Sequence, residues 1–273
     1  MTYLVEDHSL QIVPGVIAAG QTRPVSKRPF SDRQPWVGQP LFRQAWFLGV
    51  GDPIYNTADA RWRPAIGAHR GFSLFAPTAD GRTQFNRLVG SAAEVDVSAR
   101  SWSNGSSTTV LLKGADAQRE GFLAMLDRAP SVVHLATHVL PHFGRRGEAL
   151  IVFGLGAGSE AEFLNTSEVA ALHVPGSLIV MTGCETGKGE TRAGAGLLGL
   201  TRAWLLAGAG SVLSTGWAVK DSNGEIFASF YRNLRDASAA EALRRSQVEM
   251  IGSGTWRAAP AYWASYQVTG GAH

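Results

Sequence analysis

Four short apolar runs constrain the fold most: AWFLGVG (45–51), SVVHLATH (131–138), SLIVMTG (177–183) and SVLSTGWAV (211–219), each nearly continuous instead of alternating. A strand that is apolar on both faces needs cover on both, which is the environment of a mostly parallel sheet between helix layers. TTVLLKG (108–114) and EALIVFG (148–154) read as further strands. Helical patterns separate them. ADAQREGFLAML (115–126) is amphipathic, and AGLLGLTRAWLLAGAG (195–210) is apolar nearly all round, with Gly208 and Gly210 placed to end it. NTSEVAAL (165–172) carries Asn165 as N-cap with Glu168 three positions on. Helices are expected at 222–235 and 239–251, the second opened by the capping pattern Ser238-Ala-Ala-Glu241. Residues 52–108 are rich in Gly, Asp, Ser and Asn and offer one helix, around 84–91. The fold class is therefore α/β, in three layers. Residues 1–44 are taken as an irregular N-terminal segment packed on or flanking a domain at 45–273, since 20–44 is rich in Pro, Arg and Gln and lacks periodicity.

The 273 residues hold one cysteine, Cys184, which excludes an internal disulfide and a cysteine cluster for zinc and favours a reducing, cytoplasmic setting. MTYLVEDHSLQIV has no basic region leading into an apolar core, so no signal peptide is read, and no apolar stretch reaches membrane-spanning length. A net charge of +3, with Lys and Arg scattered, argues against a nucleic-acid partner. No metal and no cofactor are expected.

Ligands in such sheets bind outside the carboxyl ends of the strands. Three expected strand ends carry chemistry: His138, Cys184 and Lys220-Asp221. His138 precedes Cys184 by 46 residues (184 − 138), close to the interval of roughly 50 between histidine and cysteine in caspases. A free thiol is only a few per cent ionised at neutral pH, so a neighbouring histidine would activate it as a nucleophile. His138 and Cys184 are thus the candidate catalytic pair, with the backbone N–H groups of Val139 and Cys184 as the oxyanion hole. His134 lies on the same strand as His138, about 13 Å away along it, too far to share a metal, and reads as structural. His142 and His173 read as surface residues.

With these residues in place, the chain resembles the CHAT family of caspase-like peptidases, relatives of separase often attached to tetratricopeptide repeats. VVHLATH, LIVMTGCETG, AGLLGLTRAWLLAGAGSVLSTGWAVKD, FYRNLRDASAAEALRRSQ and PAYWASYQVTGG carry the resemblance, which covers most of residues 45–270. It implies a caspase-like α/β/α fold, a Cys/His dyad at Cys184 and His138, and action on protein or peptide substrates within a sensor or defence system. A tetratricopeptide-repeat or other sensor is the implied partner. Asp221, in WAVKD, matches a separase position whose aspartate receives a basic P1 side chain, which implies cleavage after Arg or Lys; the alternative is a helix N-cap. Trp217 and Gly216 would complete that S1 pocket, and Glu185 is a second acidic candidate. Core packing is the competing account of Trp217.

Two other functions compete. Val139 stands where the family usually has glycine, which keeps an inactive caspase-like scaffold in play. GAGLLG (194–199) matches the dinucleotide pattern G-x-G-x-x-G, but GCETGKGETRA separates it from the strand it should follow directly. GCETGKG lacks the phosphate-loop spacing, and neither G-x-S-x-G nor H-E-x-x-H occurs.

Overall fold

The computed structural model describes residues 2–13, 45–63, 85–103, 107–141, 148–157, 159–182, 195–217 and 224–270. Cys184, Glu185, Asp221 and His142 lie outside these residues.

The strands expected at 45–51, 108–114, 131–138, 177–183 and 211–219 all join one seven-stranded sheet, which two unexpected strands, at Gln11–Ile12 and Tyr266–Gly270, complete. In chain order its members are β1 (Gln11–Ile12), β2 (Trp46–Pro53), β3 (Thr108–Gly114), β4 (Val132–Ala136), β8 (Leu178–Met181), β9 (Ser211–Thr215) and β10 (Tyr266–Gly270), and their spatial order is β1-β10-β9-β8-β4-β2-β3. β9, β8, β4, β2 and β3 run parallel, so their carboxyl ends share one edge; β10 returns antiparallel to β9. EALIVFG is a strand but not a member of this sheet. It forms β6 (Ala149–Leu155), the centre of a small antiparallel sheet with β5 (Val139–Pro141) and β7 (Ala161–Asn165).

Alternate residues of each strand enter opposite cores. One face presents Leu48, Val50, Val133, Leu135, Ile179 and Met181 to a layer holding α3 (Arg119–Leu126), α4 (Thr166–Ala170) and α5 (Ala195–Leu206). The other presents Phe47, Val132, Val180 and Leu213 to α1 (Leu4–Asp7), α2 (Val89–Trp102), α6 (Glu225–Asn233) and α7 (Ala239–Ile251). Gly51 permits the close seat of α2, since a Cβ there would stand 2.7 Å from the Ser91 carbonyl oxygen and 3.0 Å from Val95. The three-layer α/β/α architecture with a mostly parallel sheet is as the sequence predicts.

Helix ends differ in detail from the expected ones. α3 starts at Arg119, four residues later than the expected helix at 115–126, with Gln118 as its N-cap. α4 has the full capping box, Asn165 accepting from the Glu168 N–H at 2.9 Å and Glu168 accepting from the Asn165 N–H at 2.8 Å. At α7 only half of the expected box forms: Ser238 accepts from the Glu241 N–H at 3.3 Å, whereas the Glu241 carboxylate bonds Arg244 and Arg245. Gly208, at φ +98°, takes the left-handed turn after α5. Within 1–44, Leu4–Asp7 is helical and Gln11–Ile12 adds an edge strand parallel to β10, so that stretch is not irregular throughout.

Candidate functional site

β4 ends at Ala136, and the chain turns so that His138 enters different surroundings from His134. The expectation that both continue one strand face fails because extended pairing stops before His138. His134 sits in the sheet–helix core beside Phe47, Phe227 and Tyr231, whereas His138 lies between Tyr55 and Phe85, with ring centroids 4.8 and 5.6 Å away.

Hydrogen bonds hold His138 on several sides. Its N–H donates to the Tyr55 hydroxyl at 3.2 Å, and its C=O accepts from the Val152 N–H at 2.9 Å. Its Nε2 lies 2.8 Å from the Asn86 carbonyl oxygen. A carbonyl can only accept, so Nε2 carries the hydrogen, and in the neutral ring Nδ1 is the basic nitrogen. The residue is 2% exposed, a position that keeps the ring from rotating freely.

Val139 follows directly as the first residue of β5 and pairs with Ile151. The flanking bond from Val152 N–H to His138 C=O makes Val139–Ile151 a non-hydrogen-bonded pair, so the Val139 N–H is not spent on β6.

The β4–β8 register runs Val132 to Leu178, Val133 to Ile179, His134 to Val180 and Leu135 to Met181, an offset of 46 at every pair. This equals the sequence separation of His138 and Cys184. β9, next to β8, ends at Thr215, and Gly216 and Trp217 follow it on the same edge. Trp217 is 44% exposed, which removes the core-packing account of it. The Gly216 N–H donates to the Ser265 carbonyl at 2.7 Å, and an added Cβ would meet only that oxygen, at 3.6 Å, so packing among the described residues does not demand glycine there. His173 is exposed, as expected.

Two polar clusters near this edge were not anticipated. Asp52, at the tip of β2 with φ +47°, is buried and receives two guanidinium groups. Arg87 bonds it twice, Nε to Oδ1 at 2.8 Å and Nη2 to Oδ2 at 2.7 Å, while Arg61 reaches it through Nη1 at 2.7 Å and also holds Asp59. Arg61's hydrogen bond pulls the Asp59 pKa from 3.8 to about 2, and the Asp52 hydrogen bond raises that of Arg87. The second cluster is buried between sheet and helices. Glu94 Oε1 accepts from Thr182 Oγ1 at 2.5 Å and from His134 Nε2 at 2.8 Å, and His134 Nδ1 then accepts from the Tyr231 hydroxyl at 2.9 Å. Burial, and then the Glu94 charge, hold the Tyr231 hydroxyl well above its ordinary pKa. The structural reading of His134 is borne out by this network. Asp52 at the end of AWFLGVGD was the one available sequence signal for the first cluster; the second joins four elements, and no local pattern announces it.

The CHAT domain family matches residues 1–271. The chain belongs to the CHAT family. No curated protein shows significant sequence similarity to this CHAT domain. Among solved structures, the Arg-specific cysteine proteinase gingipain R is 8% identical, with a TM-score of 0.45, over 83% of this chain and 46% of its own. The complex of Porphyromonas gingivalis RgpB pro- and mature domains is likewise 8% identical, with a TM-score of 0.46, over 83% of this chain and 47% of that one. The CHAT domain therefore spans about half the length of these structures. Among the described residues, no helix is long and apolar enough to cross a membrane, and no cluster of metal-binding side chains occurs.

Proposed function

We propose that this CHAT domain is a cysteine endopeptidase with Cys184 as nucleophile and His138 as general base and acid. The observation that carries the reading is the orientation of His138: the Nε2 hydrogen faces the Asn86 carbonyl, so Nδ1 is the ring nitrogen that bears the lone pair and acts as the base. The parallel pairing of β4 with β8 supports Cys184 as its partner, because positions 138 and 184 each follow the carboxyl end of one of these two neighbouring strands in sequence.

In this mechanism His138 Nδ1 takes the thiol proton as Sγ attacks the scissile carbonyl carbon. The N–H groups of Val139 and Cys184 hold the resulting oxyanion. Collapse breaks the C–N bond, and Nδ1–H protonates the departing amine, leaving a thioester. Nδ1 then takes a proton from water as its oxygen attacks the thioester, and collapse releases the acid and returns the thiol. Asp221 would form the floor of S1 for Arg or Lys, with Trp217 and Gly216 at its side and Glu185 as the next carboxylate to consider. The enzyme would work in the cytoplasm on a protein substrate, under control of a sensor partner.

Cleavage of a peptide library by wild type, Cys184→Ala and His138→Ala tests this. Both variants should lose activity, with a double variant little worse than the weaker single one, because the pair acts as a unit. Activity should also vanish with iodoacetamide and persist in EDTA. Asp221→Asn should cut kcat/KM for basic P1 by at least ~100-fold with little change in Tm. Full cleavage by either dyad variant overturns the mechanism, and an unchanged P1 preference in Asp221→Asn returns that residue to helix capping.

A further inference from the structure

The Asn86 carbonyl fixes His138, yet residues 85–88 have no regular structure, and Asn86 itself is exposed. The precision of the carbonyl therefore comes from its neighbours. On one side Phe85 is buried against Tyr55 and Phe163, and its C=O accepts from Asn56 Nδ2 at 3.2 Å. On the other side Arg87 makes the two-pronged ion pair with Asp52. A planar fork on a carboxylate fixes direction as well as distance, which a single point charge does not.

Asp52 is itself held as an anchor. It follows Gly51, whose pairing with Ala136 places the Asp52 tip beside the end of β4, and its N–H donates to Ser91 Oγ at 2.7 Å. Ser91 Oγ in turn donates to the Leu88 carbonyl at 2.7 Å, so backbone and side chain of Asp52 grip the same short segment. A left-handed backbone at φ +47° is tolerated by aspartate better than by most residues.

We infer that the Asp52–Arg87 pair is a positioning device for His138: it holds the Asn86 carbonyl where it dictates which ring nitrogen carries the proton. Neither residue is assigned a part in the chemical steps. The catalytic consequence rests on the assignment of His138 as base made above, but the tautomer consequence does not.

Arg87 is 45% exposed, so Arg87→Ala is expected to fold, which melting and circular dichroism verify. Two readouts are then taken. In nitrogen-15 histidine NMR, wild type should show His138 as a single Nε2–H tautomer, and Arg87→Ala a mixture. In kinetics on a substrate the wild type cuts, Arg87→Ala should lower kcat ~10- to 100-fold with KM within about twofold, as for a displaced catalytic group. Arg87→Lys should recover only part of this. Arg61→Ala should leave kcat within about twofold, because Arg61 shares Asp52 but does not carry the 85–88 segment. An unaltered tautomer in Arg87→Ala, or a kcat equal to wild type, overturns the inference. An equal loss in Arg61→Ala also overturns it, by assigning the effect to uncompensated charge at Asp52. If His138→Ala kept full activity while the tautomer still shifted, the dyad would fail and the positioning role would stand.

Discussion

Glu94 is the best place to perturb the buried network beneath the site, because one oxygen accepts two donors that have no water to turn to. Glu94→Ala removes that acceptor from Thr182 Oγ1 and His134 Nε2, both in buried residues. Each stranded donor costs about 1–3 kcal/mol, and release of the buried carboxylate from its own desolvation returns part of the sum. The expected loss is about 2–4 kcal/mol, the cost of two stranded donors less the desolvation returned. Glu94→Gln keeps an amide oxygen for both donors and gives up only charge assistance, about 1 kcal/mol per bond, or about 2 kcal/mol in all. Equilibrium urea unfolding of wild type and both variants measures these values. A Glu94→Ala loss below about 1 kcal/mol, or one smaller than that of Glu94→Gln, would refute the claim that the carboxylate is held to satisfy these donors.

Two further outcomes are expected. Gly224→Ala should cost about 1–3 kcal/mol, since its Cβ would stand 2.9 Å from the Glu94 Cβ and 3.0 Å from the Glu94 Cα; a rise in Tm would show that the helices part cheaply. Asp59 is depressed from 3.8 to about 2 by Arg61, so its contribution to stability is full above pH 3.8 and is lost as pH falls through about 2. Asp59→Asn should therefore differ most from wild type above that window and converge with it below, as read from unfolding free energies across the acid range.

The parallel sheet was legible in the sequence because its central strands are apolar on both faces, a pattern few other structures produce. The helix expected around 84–91 lies instead at Val89–Trp102, as α2, and its extent is hard to read for the opposite reason. Its buried face consists of Ser91, Glu94, Val95, Ser98, Ala99 and Trp102, half of it polar, so the apolar stripe that announces a helix is broken by Glu94, which serves the buried network, and by the two serines. β10 escaped notice because YQVTG alternates and is short, and its partner strand is distant in sequence. At the site, His138 stands out at the end of an apolar run, but Tyr55, Phe85 and Asn86 come from segments without periodicity. Their roles follow from tertiary contact alone. The CHAT resemblance was readable from motifs, whereas the tautomer of His138 required the carbonyl that faces it.

The small sheet changes the meaning of the interval between His138 and Cys184. β4 and β8 are laced directly together, down to the Thr182 N–H on the Leu135 carbonyl at 3.1 Å, and that lacing does not depend on how much chain lies between them. The intervening residues form β5, β6, β7 and α4, which pack through Ile151, Phe153, Leu164 and Val169 into the core on one face of the large sheet. Chain length between the two strand tips is thus a free variable, while their separation in space is not. A reporter peptide spliced into the β6–β7 turn would lengthen the former and leave the latter alone, so the domain offers an internal attachment point, and a histidine-to-cysteine count is no fixed ruler for finding such sites in other chains.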